Sequence, residues 1–282
     1  MIEASVVKDS VSPAGKRITT FQLKYPRFIH SEVMTHRAFS RNASSSRAIP
    51  VSAQLKSIKK DMAAPIHWGA NKPGMQADKE LSRFKIFLAK SLWTLAGRSA
   101  CFFAGLMNKL GAHKQVVNRI TEPFSYISVV LTATEFDNFF ALRYHHMAQP
   151  EIYELAKKMY QAYSSSTPKQ LELGQWHLPY VSEEEVAEMG IEMAIKCSVA
   201  RCARVSYNNH DGTKPVIKKD LELYDRLLGH HPVHASPAEH QATPYKTKGK
   251  ASGNLVGWRQ YRKTIANENI TTFVEETNEP RK

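Results

Sequence analysis

Three arginines, four serines and an asparagine fall within the stretch from His36 to Arg47, and Phe39 is its only large apolar side chain. Guanidinium forks, hydroxyls and free backbone N–H groups are the parts that hold a phosphate and the edge of a planar heterocycle. The same composition suits a solvated Ser/Arg loop or a phosphorylation site, and residue types alone weigh the two readings equally. Two further arginines stand in distinctive settings: Arg119 in Asn118-Arg119-Ile120-Thr121-Glu122-Pro123, and Arg143 closing Asn138-Phe139-Phe140-Ala141-Leu142-Arg143. Taken singly, each is an ordinary helix-surface cation. His230, His231, His234 and His240 invite a metal, yet no Cys or carboxylate spacing completes a known ligand set and HExxH is absent, so no metal is assigned.

The elements that must position these groups follow from pattern. Residues 2–7 and 17–24 are short, β-branched and partly alternating, and Ser12-Pro13-Ala14-Gly15 between them reads as a turn, which predicts a hairpin. Pro26 stops the second strand, residues 28–35 suit a short helix, and residues 36–47 read as a polar loop. Leu81, Phe84, Leu88, Leu92 and Leu95 recur at helical spacing, and residues 87–110 read as a long amphipathic core helix. Lys90, Arg98 and Lys109 interrupt it too often for a membrane span. Thr134, three residues before Asp137, suggests a helix start, and Ser182-Glu183-Glu184-Glu185 a stronger one with acid in the first turn. A further helix is expected over 218–228, loops over 65–76 and 249–253, and a frayed tail after Glu275.

With 42% hydrophobic and 23% charged residues in 282, the chain can bury a large core, which argues against extended disorder. Its formal charge of +13 concentrates anions, so nucleotides, phosphorylated cofactors and nucleic acid are all candidate partners. The cations are spread along the chain rather than gathered in a tail, which favours small anionic molecules. Cys101, Cys197 and Cys202 form neither an even disulfide framework nor a CxxC pair. Glu3, Lys8 and Asp9 spoil any secretory signal, and a reducing cytoplasm is the expected setting.

Spacing decides what the Ser/Arg stretch is for. His36-Arg37, seven intervening residues, Ser45, one residue and Arg47 resemble the signature of the flavin-dependent thymidylate synthases: Arg-His-Arg, seven residues, Ser, one residue, Arg. Thr20-Phe21 and Pro26 stand where that family has the strand leading into the motif. Asn118 to Pro123 resembles its Ala-Arg-x-x-Leu-Pro helix. Asn138 to Arg143, followed by Ala148-Gln149-Pro150-Glu151-Ile152, resembles its Asn-Phe-x-x-Leu-Arg and Ala-Gln-x-Glu-Ile segment. Cys202-Ala203-Arg204-Val205-Ser206-Tyr207 and His234-Ala235-Ser236-Pro237-Ala238-Glu239-His240 resemble the family's opening blocks, but here they follow the Arg/Ser motif instead of preceding it. Joining His240 to Thr20 restores the family order, so the chain reads as a circular permutation, which folds tolerate where old termini lie close together. Three positions depart from the motif: Thr35 replaces its first Arg, Ala43 its Glu and Ala48 its Tyr.

The resemblance implies an α/β fold over residues 1–282, a mixed twisted sheet packed with helices, with blocks 17–48, 113–156 and 197–241 matching the family. It implies a homotetramer with active sites between subunits, FAD as cofactor, NADPH and methylenetetrahydrofolate as co-substrates, and one-carbon transfer to C5 of dUMP. By resemblance, His36, Arg37, Ala38, Asn138, His234 and Ser236 would hold the flavin. Glu32, Thr35, Ser45, Ser46, Arg47, Arg119 and Arg143 would hold the nucleotide, with Arg143 and Ser45 as the catalytic pair. Neither a membrane nor nucleic acid is the expected partner. The departures at Thr35 and Ala43 raise a rival, a flavin enzyme methylating or hydroxymethylating another pyrimidine nucleotide such as dCMP. The reading from another class is a non-catalytic, basic nucleic-acid-binding protein.

Overall fold

Glu3–Val11 (β1) and Arg17–Pro26 (β2) pair antiparallel from Glu3 opposite Lys24 to Val11 opposite Arg17. The turn between them closes where Gly15 N donates to the Ser12 carbonyl at 2.8 Å and Lys16 N to the Ser12 hydroxyl at 3.0 Å. Gly15 has φ 78°, which a side chain would resist. The computed structural model describes residues 1–207 and 213–272. Along them follow His30–Met34 (α1), Ser40–Ala43 (β3), Val51–Lys60 (α2), Arg83–Lys109 (α3), Lys114–Val117 (α4), Tyr126–Ala133 (β4), Asp137–Arg143 (α5) and Pro150–Ser165 (α6). Lys169–Gln170 (β5), Glu183–Met189 (α7), Ile191–Arg204 (α8), Ile217–Leu228 (α9), Ala242–Pro244 (β6), Ala251–Ser252 (β7), Leu255–Val256 (β8) and Trp258–Gln260 (β9) complete the order.

Five strands form one mixed sheet in the order β3-β4-β2-β1-β5, parallel only between β1 and β5. On one face Phe21, Leu23, Ile127, Val129 and Leu131 are buried against Phe136 and Phe139, and against Ile152, Leu155 and Met159 of α6. Enclosing each such side chain stabilises by about 1.5–3 kcal/mol. On the other face Val130 packs with Tyr180, Cys202 and Val205, so α8 lies over the sheet, with α7 and α9 packed on it. The last strands pair as two small ribbons, β6 with β9 and β7 with β8. Ala242, Leu255 and Trp258 close on Ile18 of β2.

An ionic knot joins the three outer helices. Arg201 of α8 is 1% exposed, and its Nε donates to Asp220 of α9 at 2.9 Å while Nη1 reaches the Tyr180 carbonyl at 2.6 Å. Nη1 also donates to Glu185 of α7 at 2.9 Å, and Arg204 holds the other Asp220 oxygen at 2.6 Å. Glu185 in turn completes the capping box with Ser182 that opens α7, as the residue order predicts.

Four expectations need correction. The stretch 36–47 is not all loop: β3 pairs with β4, Asn42 opposite Val130. Ala251–Ser252 likewise interrupts the loop expected over 249–253. Thr134 does not cap α5, because its hydroxyl accepts from Val256 N at 3.0 Å. The helix read over 87–110 exists as α3, but it buries only Gly97, Cys101 and Ala104 and turns its large apolar residues outward. The end of the chain, where fraying was expected, lies outside the described residues. Among the described residues no helix is long and apolar enough to cross a membrane.

Candidate functional site

A tight turn brings the chain from α1 into β3. Phe39 N donates to the His36 carbonyl at 3.3 Å, and Arg41 Nη1 clamps the turn by donating to the carbonyls of Val33 and His36, each at 3.0 Å. Phe39 is buried against Phe136 and Phe139, and the His36 ring meets Phe139 edge-on at 4.9 Å. His36 Nε2 accepts from Arg143 Nε at 3.0 Å. Burial first, then the charges of Arg143 and Arg41, lower the His36 pKa. The ring is therefore neutral near pH 7 with its proton on Nδ1. The terminal nitrogens of Arg143 have no protein partner among the described residues. Glu32 is half-buried nearby, its carboxyl pKa raised by desolvation against the pull of Arg143. Thr35 is exposed and donates to the Glu32 carbonyl at 2.7 Å. Arg37, Ala38 and Asn138 are exposed, and the Ala38 carbonyl accepts from Asn254 Nδ2 at 3.1 Å.

The far end of β3 carries a second group. Ser46 is buried, donates to Glu122 Oε1 at 2.5 Å and accepts on its carbonyl from Asn118 Nδ2 at 2.8 Å. Glu122 also receives Arg119 Nη1 at 3.3 Å. Arg47 N donates to Ser45 Oγ at 3.3 Å, and both side chains are exposed. Arg37 and Arg47 form no ion pair among the described residues. Ser45, Ser46, Arg47 and Arg119 thus gather in one patch, while His36 and Arg143 meet at the other end of β3. Four strand residues separate the groups by on the order of 13 Å. Two surface clefts lie elsewhere, one along α3 and one between Lys8, Glu183 and Tyr207.

Beneath this surface a row of polar side chains crosses the sheet face under α8. Ser10 Oγ bonds His177 Nδ1 at 2.9 Å, and His177 Nε2 bonds Thr20 Oγ1 at 2.8 Å. Thr20 Oγ1 bonds Thr132 Oγ1 at 2.6 Å, and Thr132 bonds His240 Nδ1 at 2.8 Å. His240 Nε2 ends the row 3.4 Å from Asn42 Oδ1 on β3. Ser10, Thr20, Thr132, His177 and His240 are all fully enclosed. Burial lowers the His240 pKa to about 3 and that of His177 well below the usual imidazole value, so both rings are neutral.

The third sequence block reaches the first through this row. Ser236 and His234 are exposed, whereas His240, which closes the same block, lies inside and positions the Ser236–Glu239 turn against β3. Residue order did not single out His177 or Asn254. Nothing local marks them, because their partners Thr20 and Ala38 lie far away in sequence.

No protein-family model matches the sequence, and no curated protein matches it. Among solved structures the chain is similar to a UMP/dUMP methylase PolB from Streptomyces cacaoi bound with 5-Br UMP. The identity is 18% and the TM-score 0.50, covering 58% of this chain and 89% of that one. The same methylase bound with 5-Br dUMP aligns at 17% identity and TM-score 0.49, over 58% and 90%. The flavin dependent thymidylate synthase ThyX from Helicobacter pylori, complexed with FAD and dUMP, aligns at 16% identity and TM-score 0.38, over 52% and 67%. At such identities the likeness to the methylase is one of fold.

Proposed function

We propose that the chain is an FAD-dependent enzyme that transfers a one-carbon unit from methylenetetrahydrofolate to C5 of a pyrimidine nucleoside monophosphate, dUMP by resemblance, with NADPH as reductant. The observation that carries this is the bond from Arg143 to His36, at 3.0 Å, which joins two sequence blocks separated by the whole of α2, α3 and α4. The donor set suits anionic ligands: Arg37 and Arg47 are exposed and without carboxylate partners among the described residues. His36, Arg37, Ala38, Asn138, His234 and Ser236 would hold FAD, whose ring supplies the hydride chemistry that protein side chains lack.

C5 of a uracil ring is a weak nucleophile until negative charge builds up at N3 and O4. A guanidinium held by His36 through Nε alone keeps its terminal N–H groups for that charge. Ser45, the Ser46 backbone, Arg47 and Arg119 would bind the phosphate and sugar. Because these lie at the other end of β3 from Arg143, the two groups act on one nucleotide only if copies of the chain share the site, which fits the homotetramer of the resemblance. Circular permutation is part of the proposal. In its support, the chain leaving His240 packs Ala242 against Ile18 at the start of β2, which makes the direct connection a short one. The three buried, unpaired thiols suit a cytoplasmic setting.

A second reading keeps the reaction and changes the base. Thr35 spends its hydroxyl on the Glu32 carbonyl, leaving no cation at that motif position, which favours a ring other than uracil, such as that of dCMP, or a hydroxymethyl product. Incubating the purified protein with FAD, NADPH, methylenetetrahydrofolate and either dUMP or dCMP, then weighing the products, decides between them. Failure to bind FAD at saturation would overturn both.

A further inference from the structure

Trp93, Gly97, Cys101 and Ala104 form the inner side of α3; Trp93 Nε1 donates to the Ala63 carbonyl at 2.9 Å, and Gly97 lies close against Met62 and Phe124. The outer side is bare. Phe84, Leu88, Leu92 and Leu95 are 70%, 44%, 67% and 61% exposed, and Phe102, Leu106 and Leu110 are 62%, 41% and 86% exposed. With exposed Ser99 they advance by 4, 4, 3, 4, 3, 4 and 4 residues. The centre of this series is the near-3.5 repeat of a helix that lies along another helix.

The series also reads the same in both directions about Gly97. A second α3 laid antiparallel across a two-fold axis at that level sets Leu88 against Leu106, Leu92 against Phe102, Leu95 against Ser99 and Phe84 against Leu110. A self-complementary patch of this kind is what an isologous contact requires. With the flanking Phe87 and Phe103, the stripe offers on the order of 800 Å² per copy, the share one partner gives to a standard interface. We propose that α3 is a self-association surface through which two copies of the chain pair antiparallel. The pairing stands whatever chemistry the chain performs.

α3 carries Arg83, Lys85, Lys90, Arg98 and Lys109 and no carboxylate, a composition that also attracts anionic lipid. Lipid demands neither register nor two-fold symmetry, and the palindromic spacing has both. Salt separates the two occupants: it screens the like charges that oppose self-pairing, and it weakens attraction to an anionic bilayer.

Sedimentation equilibrium on the full chain tests the proposal. The expected result is a dimer, or a tetramer built from dimers, that tightens as salt rises. Leu92→Glu should weaken the pairing on the order of a hundredfold with the far-ultraviolet circular dichroism unchanged, since the side chain is exposed. After oxidation, Leu88→Cys mixed with Leu106→Cys should give a disulfide-linked pair that neither variant forms alone. Self-linking by each variant would establish a parallel pair and overturn the proposal. So would a monomer at every concentration, an assembly indifferent to Leu92→Glu, or a monomer that salt releases from phosphatidylserine vesicles.

Discussion

Thr20, Thr132, His177 and His240 are fully enclosed, and each has a hydrogen-bond partner on both sides. Arg37 and Arg47 are exposed, and neither has an ion-pair partner among the described residues. The first set is satisfied by the fold itself, since a buried polar group left unpaired costs more than its bond returns. The second is satisfied by water and is free to exchange it for a ligand. Polar residues of the first kind set the shape of this protein, and those of the second kind are where its chemistry is to be sought.

The sharpest way to break that division is Asp220→Ala. Asp220 is fully buried and holds both Arg201 and Arg204. Removing it strands Arg204 and takes from Arg201, which is 1% exposed, one of its two carboxylates, leaving it Glu185 alone, and should cost about 3–5 kcal/mol in urea unfolding. A loss below about 1 kcal/mol would mean that water already reaches the knot.

Acid should act next. An imidazole whose folded pKa lies below its unfolded value contributes stability that is intact above the unfolded pKa. It is lost as pH falls toward the folded one. For His240 that window runs from 6.5 down to about 3. His177 moves in the same direction. Below pH 6.5 the buried His240 ring should therefore remove about 1.4 kcal/mol per pH unit, and His177 should add a loss of the same sign. Urea midpoints between pH 7 and pH 5 check this, and His240→Asn should remove one ring's share of the slope.

Arg47→Ala should move stability by less than about 0.5 kcal/mol, since the side chain is exposed and makes no hydrogen bond or ion pair among the described residues. Calorimetry should instead show nucleotide affinity falling roughly ten- to a hundredfold. Stability lost with affinity intact would place Arg47 in the scaffold and not in the site.

How far the sequence reveals these two classes depends on where the partners lie. The β1–β2 turn and the Ser182 cap are legible because donor and acceptor sit within a few residues. The polar strand β3 is not: Ser40 is satisfied by Asn254 and Asn42 faces His240, both from the other end of the chain. Periodicity finds α3 yet misplaces its core side, since small Gly97, Cys101 and Ala104 face inward and larger leucines face out. Motif spacing marked His36, Arg143 and Ser46, and their bonds to one another and to Glu122 tie the marked blocks together. Arg204, another motif residue, is spent on an ion pair.

The smallest expected effect changes no stability and tests the row most directly. Each neutral imidazole has one N–H and each hydroxyl has one O–H, so every link in the row needs one donor. If Asn42 presents Oδ1, His240 donates from Nε2 and accepts from Thr132. Thr132 then accepts from Thr20, Thr20 from His177 Nε2, and His177 Nδ1 from Ser10. If the Asn42 amide is turned, its Nδ2 donates to the carbonyls of Ser236 at 3.2 Å and Arg41 at 3.1 Å. The amide nitrogen then faces His240 Nε2, which favours the proton on Nδ1 and reverses every link. The turned amide is the better satisfied, because it fills two carbonyls where the other makes one bond of 3.4 Å. Nitrogen-15 NMR of the ring nitrogens should therefore find both His177 and His240 protonated on Nδ1. Their tautomers must agree in either case, because a mixed pair either strands a buried hydroxyl hydrogen or leaves the Thr20–Thr132 link without a donor. Thr132→Val should uncouple them, and opposite tautomers in the unaltered protein would show that the row is not continuous.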